Sequence, residues 1–304
     1  MKTSAVASAL LLALASTSTV AATVYSNDGT ELSIGGRAEF RGDFTDAVEG
    51  SMEDNSRARL NVKGSSEITS GLTAFAFYEA EHKTGDKQFS NRYLYAGLDT
   101  EVGAFSAGRQ DMAAVIVSDM TDITEFSGLQ QYTDASSDKT DSVFAYRGSF
   151  DAVQVEATYS AAEGKDEDLY SIAGMYSAPF GLDVALSYSA DAGDETQFLG
   201  GLGYTFENLY VAGTFSVGDV DNNTEFTAYE LSAAYKLTSE FSVALNYGYA
   251  EEDEKGAGKT DTVDQFEVAG YYKFNSNFRT YVSYLAQQLK DEDDVVRLGV
   301  RYDF

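Results

Sequence analysis

The side chains of this chain that could do chemistry are carboxylates, and they cluster. From Asp111 to Lys139 the sequence runs DMAAVIVSDMTDITEFSGLQQYTDASSDK, carrying Asp119, Asp122, Glu125, Asp134 and Asp138. Val115, Ile116, Ile123, Phe126 and Leu129 interrupt the acids, and a disordered acidic tail would lack such apolar anchors. A nucleophile has no base to work with. His82 is the only histidine, lies in a polar stretch, and pairs in no recognisable pattern with a serine. Residues 256–260 (GAGKT) look like the end of a phosphate loop, but Asp253 stands at the first glycine position and no helix follows. Residues 219–223 (DVDNN) have the outline of a calcium loop, with Glu230 at its twelfth place. Thr224 replaces the turn glycine, however, and Glu230 falls within a strand pattern. The chain has no cysteine, which excludes thiolate zinc and disulfide staples. These observations point to no enzyme, no metal and no cofactor. They leave a charged surface that faces water.

The elements that must position this surface are strands. The chain opens MKTSAVASALLLALASTSTVAA: a basic start, an apolar run and small residues. That pattern is a cleaved secretory signal over residues 1–21, or 1–22, and is too short for a membrane anchor. Residues 22–304 show no linker and no break in composition, so they form one domain. Net charge is −28, which argues against nucleic acid as a partner because phosphates are repelled. Aromatic residues make up 13% of the chain, with 21 Tyr and 19 Phe, and they recur periodically rather than at random. Leu32, Ile34, Ala38 and Phe40 alternate with Ser33, Arg37, Glu39 and Arg41. Leu182, Val184, Leu186 and Tyr188 alternate with Asp183, Ala185 and Ser187. Val296, Leu298, Val300, Tyr302 and Phe304 alternate with Arg297, Gly299, Arg301 and Asp303.

Connections between these strands come in two alternating kinds. Residues 178–181, 206–208, 237–240 and 275–277 are tight and nearly neutral. Residues 161–168, 191–195, 218–223, 251–261 and 290–294 are longer and acidic. Short turns at one end and longer loops at the other belong to an antiparallel up-and-down barrel that spans an outer membrane, here with roughly sixteen strands. The polar strand faces then line water, and the tyrosines and phenylalanines at strand ends form interfacial girdles. A soluble β-sandwich shares the alternation but not the signal peptide or the aromatic strand ends. The stretch 111–139 is too long for a hairpin loop and is expected to fold into the lumen and narrow it. Around residues 92–97 both faces are apolar, which hints at an oligomer.

Several stretches resemble the general diffusion porins of Gram-negative outer membranes, a trimeric sixteen-stranded family. They are ATVYSNDGTELSIGGR (22–37), RLNVKGSSEITSGLTAFAFYE (59–79), NRYLYAGL (91–98), GAFSAGRQ (103–110), TDITEFSG (121–128) and the terminal VVRLGVRYDF. The resemblance implies a third loop folded inward against a ladder of basic side chains. It places Asp122 and Glu125 as the loop acids of the constriction, with Arg37, Arg59 and Arg92 on the facing wall. Lys139 stands near a further basic position, and Glu79 is an inward acid. Arg109 matches an arginine that meets a neighbouring subunit, with Asp86 as a candidate partner. Thr124 and Ser127 depart from the family's proline and glycine, so the loop's path is expected to differ. The implied partners are two further copies in a homotrimer, outer-membrane lipid and lipopolysaccharide, small hydrophilic solutes and ions, and the barrel-assembly machinery through Phe304. The implied function is passive diffusion of ions and small polar solutes with a preference for cations. The alternatives are a substrate-specific channel and a receptor or adhesin barrel with little conductance.

Overall fold

The structure is a computed structural model that describes residues 21–304. The leader expected over residues 1–21 lies, Ala21 apart, outside the described residues. Among those described, no helix is long and apolar enough to cross a membrane. The chain is instead a single antiparallel sheet. Its strands are β1 (Ala22–Asn27), β2 (Thr30–Phe44), β3 (Glu53–Asp54), β4 (Arg57–Thr69), β5 (Leu72–Lys83) and β6 (Ser90–Thr100). They continue as β7 (Gly103–Gln110), β8 (Thr140–Phe150), β9 (Val153–Ser160), β10 (Leu169–Ser177), β11 (Leu182–Asp191) and β12 (Thr196–Phe206). The last are β13 (Leu209–Asp221), β14 (Thr224–Lys236), β15 (Phe241–Glu254), β16 (Gly258–Lys273), β17 (Phe278–Gln287) and β18 (Val295–Asp303).

Of these eighteen strands, β1 and the two-residue β3 are accessory, and the other sixteen form the wall. Each pairs with its chain neighbour, and β18 returns to pair with β2 from Val296↔Phe44 to Asp303↔Arg37. The sheet therefore closes and has no free edge, which is what a hydrocarbon surround demands of backbone amides. At the seam the Gly36 and Phe304 backbones exchange hydrogen bonds of 2.9 and 3.0 Å. Beyond it, β1 occupies the same edge of β2, from Ala22↔Ile34 to Asn27↔Thr30. Asp28 and Gly29 turn β1 into β2 with φ of 48° and 72°, the left-handed pair that a tight two-residue hairpin requires.

Large apolar side chains point outward along the wall, among them Leu186 (68% exposed), Phe198 and Leu202. A face like this is stable against lipid rather than water. At one end the turns are short, for example residues 70–71, 151–152 and 207–208. The other end carries residues 45–56, 84–89, 161–168 and 288–294 as loops. Two acidic connections expected as loops are instead paired strand. Asp219 pairs with Glu225, and Glu251 pairs with Asp261, so β13–β14 and β15–β16 end in turns of residues 222–223 and 255–257. Alternating acids are compatible with a strand wherever the ribbon stands clear of the bilayer, so acidity alone did not mark a loop.

Residues 111–139 cross the interior. They hold one helical turn, α1 (Val115–Ser118), and a 3₁₀ turn at Asp134–Ser136. The inward faces of β10–β16 carry alanines that leave room for the loop's apolar anchors. Ala113, Val117 and Met120 pack on Ala173, Ala185 and Leu199. Ile123 packs among Ala234, Ala244, Ala269, Tyr210, Tyr271 and Tyr281. Leu129 and Tyr132 lie against Phe226, Ala228 and Ala250. Each fully buried anchor contributes about 1.5–3 kcal/mol.

Wall side chains take up the loop's backbone polar groups. Glu230 accepts from the Thr121 hydroxyl (2.7 Å) and the Gly128 N–H (3.0 Å). Glu267 accepts from the Glu125 and Phe126 N–H groups at 3.0 and 2.9 Å. Gln197 donates to the Gln130 carbonyl (2.9 Å), and the Tyr210 hydroxyl donates to the Met120 carbonyl (2.7 Å).

Two outcomes test this architecture. A Cβ on Gly36 would sit 2.4 Å from the Arg59 carbonyl oxygen and 2.7 Å from the Phe304 ring. Gly36→Val should therefore lose most of the folded form, read as the fast-migrating band of unboiled protein on a gel; a normal yield contradicts the seam. Glu230→Ala with Glu267→Ala orphans buried donors at about 1–3 kcal/mol each. The 111–139 loop should then become cleavable by protease in the folded barrel, while Glu230→Gln, which keeps an acceptor, should resist. Equal resistance in all three proteins would sink the tether.

Candidate functional site

Period-two geometry sends Arg37, Glu39, Arg41 and Asp43 of β2 to the lumen, beside Arg57 and Arg59 of β4 and Glu79 and Glu81 of β5. On the other side of β2, Arg297, Arg301 and Asp303 of β18 complete the same wall. Arg92 joins through a bulge. Glu79 opposes Tyr93 and Ala80 opposes Asn91, so Arg92 is the extra residue, and both it and Tyr93 turn inward. Residues 93–100 keep a regular alternation, with Tyr93 and Tyr95 inward opposite Glu79 and Phe77 and with Leu94 and Leu98 outward. The two-sided apolar pattern there reflects inward aromatic rings, not only an outer contact.

The wall is not a bare ladder of bases. Arg57 reaches Glu39 at 2.7 Å, Arg59 reaches Glu81 at 2.5 Å, and Arg92 reaches Glu79 at 2.7 Å. Arg297 holds Asp43 with two bonds of 2.7 and 2.6 Å, and Arg301 holds Asp303. Seven arginines (37, 41, 57, 59, 92, 297 and 301) thus face five carboxylates (39, 43, 79, 81 and 303), and the wall stays net positive. Interleaved carboxylates let guanidinium groups crowd without prohibitive repulsion: Arg57, Arg59, Arg92, Arg297 and Arg301 are each hydrogen-bonded to one, and Arg37 and Arg41 lie within 3.6 and 3.8 Å of Glu39 and Glu125.

The loop supplies the opposite sign. The Asp119 side chain is exposed to the lumen. Asp122 is half-buried and accepts from the Ser127 hydroxyl at 2.7 Å. Burial pushes the Asp122 carboxyl above its usual range, against the Ser127 hydrogen bond and the Lys139 ammonium, which both hold it down. Lys139 stands at the loop's exit and pairs with Asp138. Its backbone N–H donates to Asp111 at 2.9 Å.

Glu125 departs from a simple acid-across-water arrangement. The loop tip runs on to the arginine wall, where Glu125 comes within 3.8 Å of Arg41. Its carbonyl accepts from Arg297 at 3.0 Å, and the same guanidinium lies 3.9 Å over the Phe126 ring. Of the loop acids, Asp119 is exposed, Asp122 is half-buried and Glu125 clamps the tip. Arg109 lies outside the lumen altogether. It points outward and meets Asp141 at 2.7 Å within its own chain.

Residues that sequence reasoning missed are those that gain meaning only across strands. Glu230, Asn246, Glu267 and Gln197 are all buried against the loop. Their one signal is a polar side chain at mid-strand on an inward face. The same reading put Arg41, Arg57, Arg297 and Glu39 on polar strand faces but did not name them among the constriction residues.

The comparisons with known proteins agree with this geometry. A family model described as Gram-negative porin matches residues 6–292. Outer membrane protein U of Vibrio vulnificus is 34% identical over 345 residues, covering 100% of both chains. Porin-like protein L of Photobacterium profundum is 32% identical, covering 97% of this chain and 98% of its own. The solved Salmonella typhi OmpF, in complex with daunomycin, superposes with a TM-score of 0.83 at 21% identity, over 93% of this chain and 100% of that one, and shares the fold. A closed sixteen-stranded wall, a polar lumen crossed by its own loop and these full-length relatives lead to one conclusion: the chain belongs to the Gram-negative porin family, a non-enzymatic channel of the outer membrane.

Proposed function

We propose that this porin passes ions and small hydrophilic solutes by passive diffusion and prefers cations. The observation that carries the reading is the loop 111–139 lying within the lumen and carrying Asp119 and Asp122, in a barrel whose β2, β4 and β18 line the lumen with arginines. Opposite charges on two sides of a narrow aqueous gap set up a transverse field, which low-dielectric walls strengthen. Such a field orders water and disfavours apolar solutes. The net charge of −28 raises the local cation concentration at the mouth. In this reading residues 1–21 are removed on export, and residues 22–304 are assembled through the terminal Phe304 into lipid and lipopolysaccharide.

The assembled form is a homotrimer. A solved Vibrio cholerae protein of the same fold, OmpT, is described in a trimer form. Leu94, Leu98 and Phe105 give β6 and β7 an apolar outer face near Arg109.

Reversal potentials in a salt gradient across a planar bilayer test the selectivity. The wild type should be cation-selective, and Asp122→Asn with Glu125→Gln should lower the cation-to-anion permeability ratio roughly twofold or more. Anion selectivity in the wild type would overturn the reading. A second outcome follows from the raised Asp122 carboxyl. It takes up its proton at a higher pH than an ordinary aspartate, and the neighbouring Asp119 carboxyl is pushed up to about 8 by desolvation and by Asp122, so acidification should weaken cation preference before the acids outside the lumen titrate. Asp119→Asn with Asp122→Asn should remove that early part of the pH profile; an unaltered profile means that other groups set it.

A further inference from the structure

Beneath the root of the loop, toward the short-turn end, the inward faces of β5–β8 enclose a niche of about 180 Å³. Phe75, Tyr93 and Tyr95 form one side, and Gln110, Asp111 and Arg147 form the other. The Phe75 and Tyr95 rings meet edge to face, with centroids 6.4 Å apart and planes at 80°, so they make a corner and not a slot. Phe77 backs both tyrosines at 5.8 and 5.7 Å. Regular pairing of Tyr93 with Glu79 and of Tyr95 with Phe77 turns both tyrosines toward the lumen.

The polar side is held rigidly and keeps unused capacity. Arg147 donates to Glu156 (2.9 Å), to the Gln110 side-chain oxygen (2.7 Å) and to the Asp111 carbonyl (2.7 Å). A guanidinium carries five N–H donors, so two remain, and the side chain is 30% exposed. The Asp111 carboxylate accepts from the Lys139 N–H at 2.9 Å and the Tyr93 hydroxyl at 3.2 Å. Its two oxygens offer about four acceptor sites, so it too has room for another donor.

We propose that this niche is a binding subsite for one ring of a neutral polyhydroxylated solute, a pyranose sugar. The proposal deepens the diffusion reading and rests on it. A saturated ring presents C–H faces that pack on angled aromatic rings, whose electron-rich faces attract them. Its hydroxyls both donate and accept, so they can use the Asp111 carboxylate and the spare Arg147 N–H groups together. Charges of both signs meet here, Arg147 against Asp111 and Glu156, so the niche favours neither an anion nor a cation strongly. Its volume lies below the roughly 300–1,000 Å³ of sites for drug-sized ligands, which limits the occupant to a single ring. A subsite beside the passage would raise flux of such solutes at low concentration without closing the channel to ions.

The experiment is open-channel current noise from the purified protein in a planar bilayer, with D-glucose or with sorbitol, its open-chain counterpart. Glucose should add noise that saturates with concentration, and sorbitol only a proportional fall in current. Phe75→Ala with Tyr95→Ala should raise the half-saturating glucose concentration about tenfold, the loss expected from removing aromatic packing of about 1.4 kcal/mol. Tyr95→Phe should keep the glucose response, because it keeps the ring. Ionic conductance with identical effects of glucose and sorbitol overturns the subsite alone. Stronger block by glucosamine or glucuronate than by glucose overturns the neutral assignment. A folded barrel without ionic conductance overturns the diffusion reading and the subsite with it.

Discussion

A backbone amide in hydrocarbon has no water to bond, and each unpaired group costs several kcal/mol. Everything in this molecule follows from meeting that requirement with strands. The sheet must close, so the last strand must find β2, and the C-terminal Phe304 lies across the bare Cα of Gly36 at the join. Closure puts one face of every strand in lipid and the other around water. A single period-two pattern therefore sorts leucine and phenylalanine from arginine and glutamate without any conventional core.

Inside the barrel the same accounting governs the 111–139 loop. An irregular backbone at membrane depth is tolerable only where protein or water satisfies it. Here the wall does much of this work, through carboxylates and amides that accept and donate to the loop's main chain. The alanines on β10–β16 are the steric half of the arrangement. Larger inward residues there would fill the space that Val117, Met120 and Ile123 now take. The opposite wall could not receive the loop in this way, because its inward face is filled with paired arginines and carboxylates. The passage therefore lies between a loop seated on small residues and a wall of long charged ones.

How much of this was legible in the residues depends on the range of the interaction. Alternation, turn chemistry and the aromatic strand ends are local, and they led to an outer-membrane barrel of about sixteen strands. The inward course of residues 111–139 was also readable, since a long stretch with regular apolar anchors must pack against something. The family resemblance then singled out Arg37, Arg59, Arg92 and Glu79, and all four lie on one wall. One local signal misled. Acidic residues at 219–225 and 251–261 looked like loops and are paired ribbons. The doubly apolar run near Tyr93 looked like contact on both sides, and Tyr93 and Tyr95 do turn inward while Leu94 and Leu98 face outward.

The sequence by itself determined the class of the protein and, along most strands, which residues face water, because a strand's period is a property of the covalent chain. Only the tertiary structure decided what those residues meet. Glu125 and Arg41 are 84 positions apart, Glu230 and Gly128 are 102, and Asp43 and Arg297 are 254. No pattern along the chain brings such groups together. Their meeting depends on strand register, on one extra residue at Arg92 and on the angle at which the loop leaves β7. Each of these is set by closure of the whole barrel and not by any segment of it.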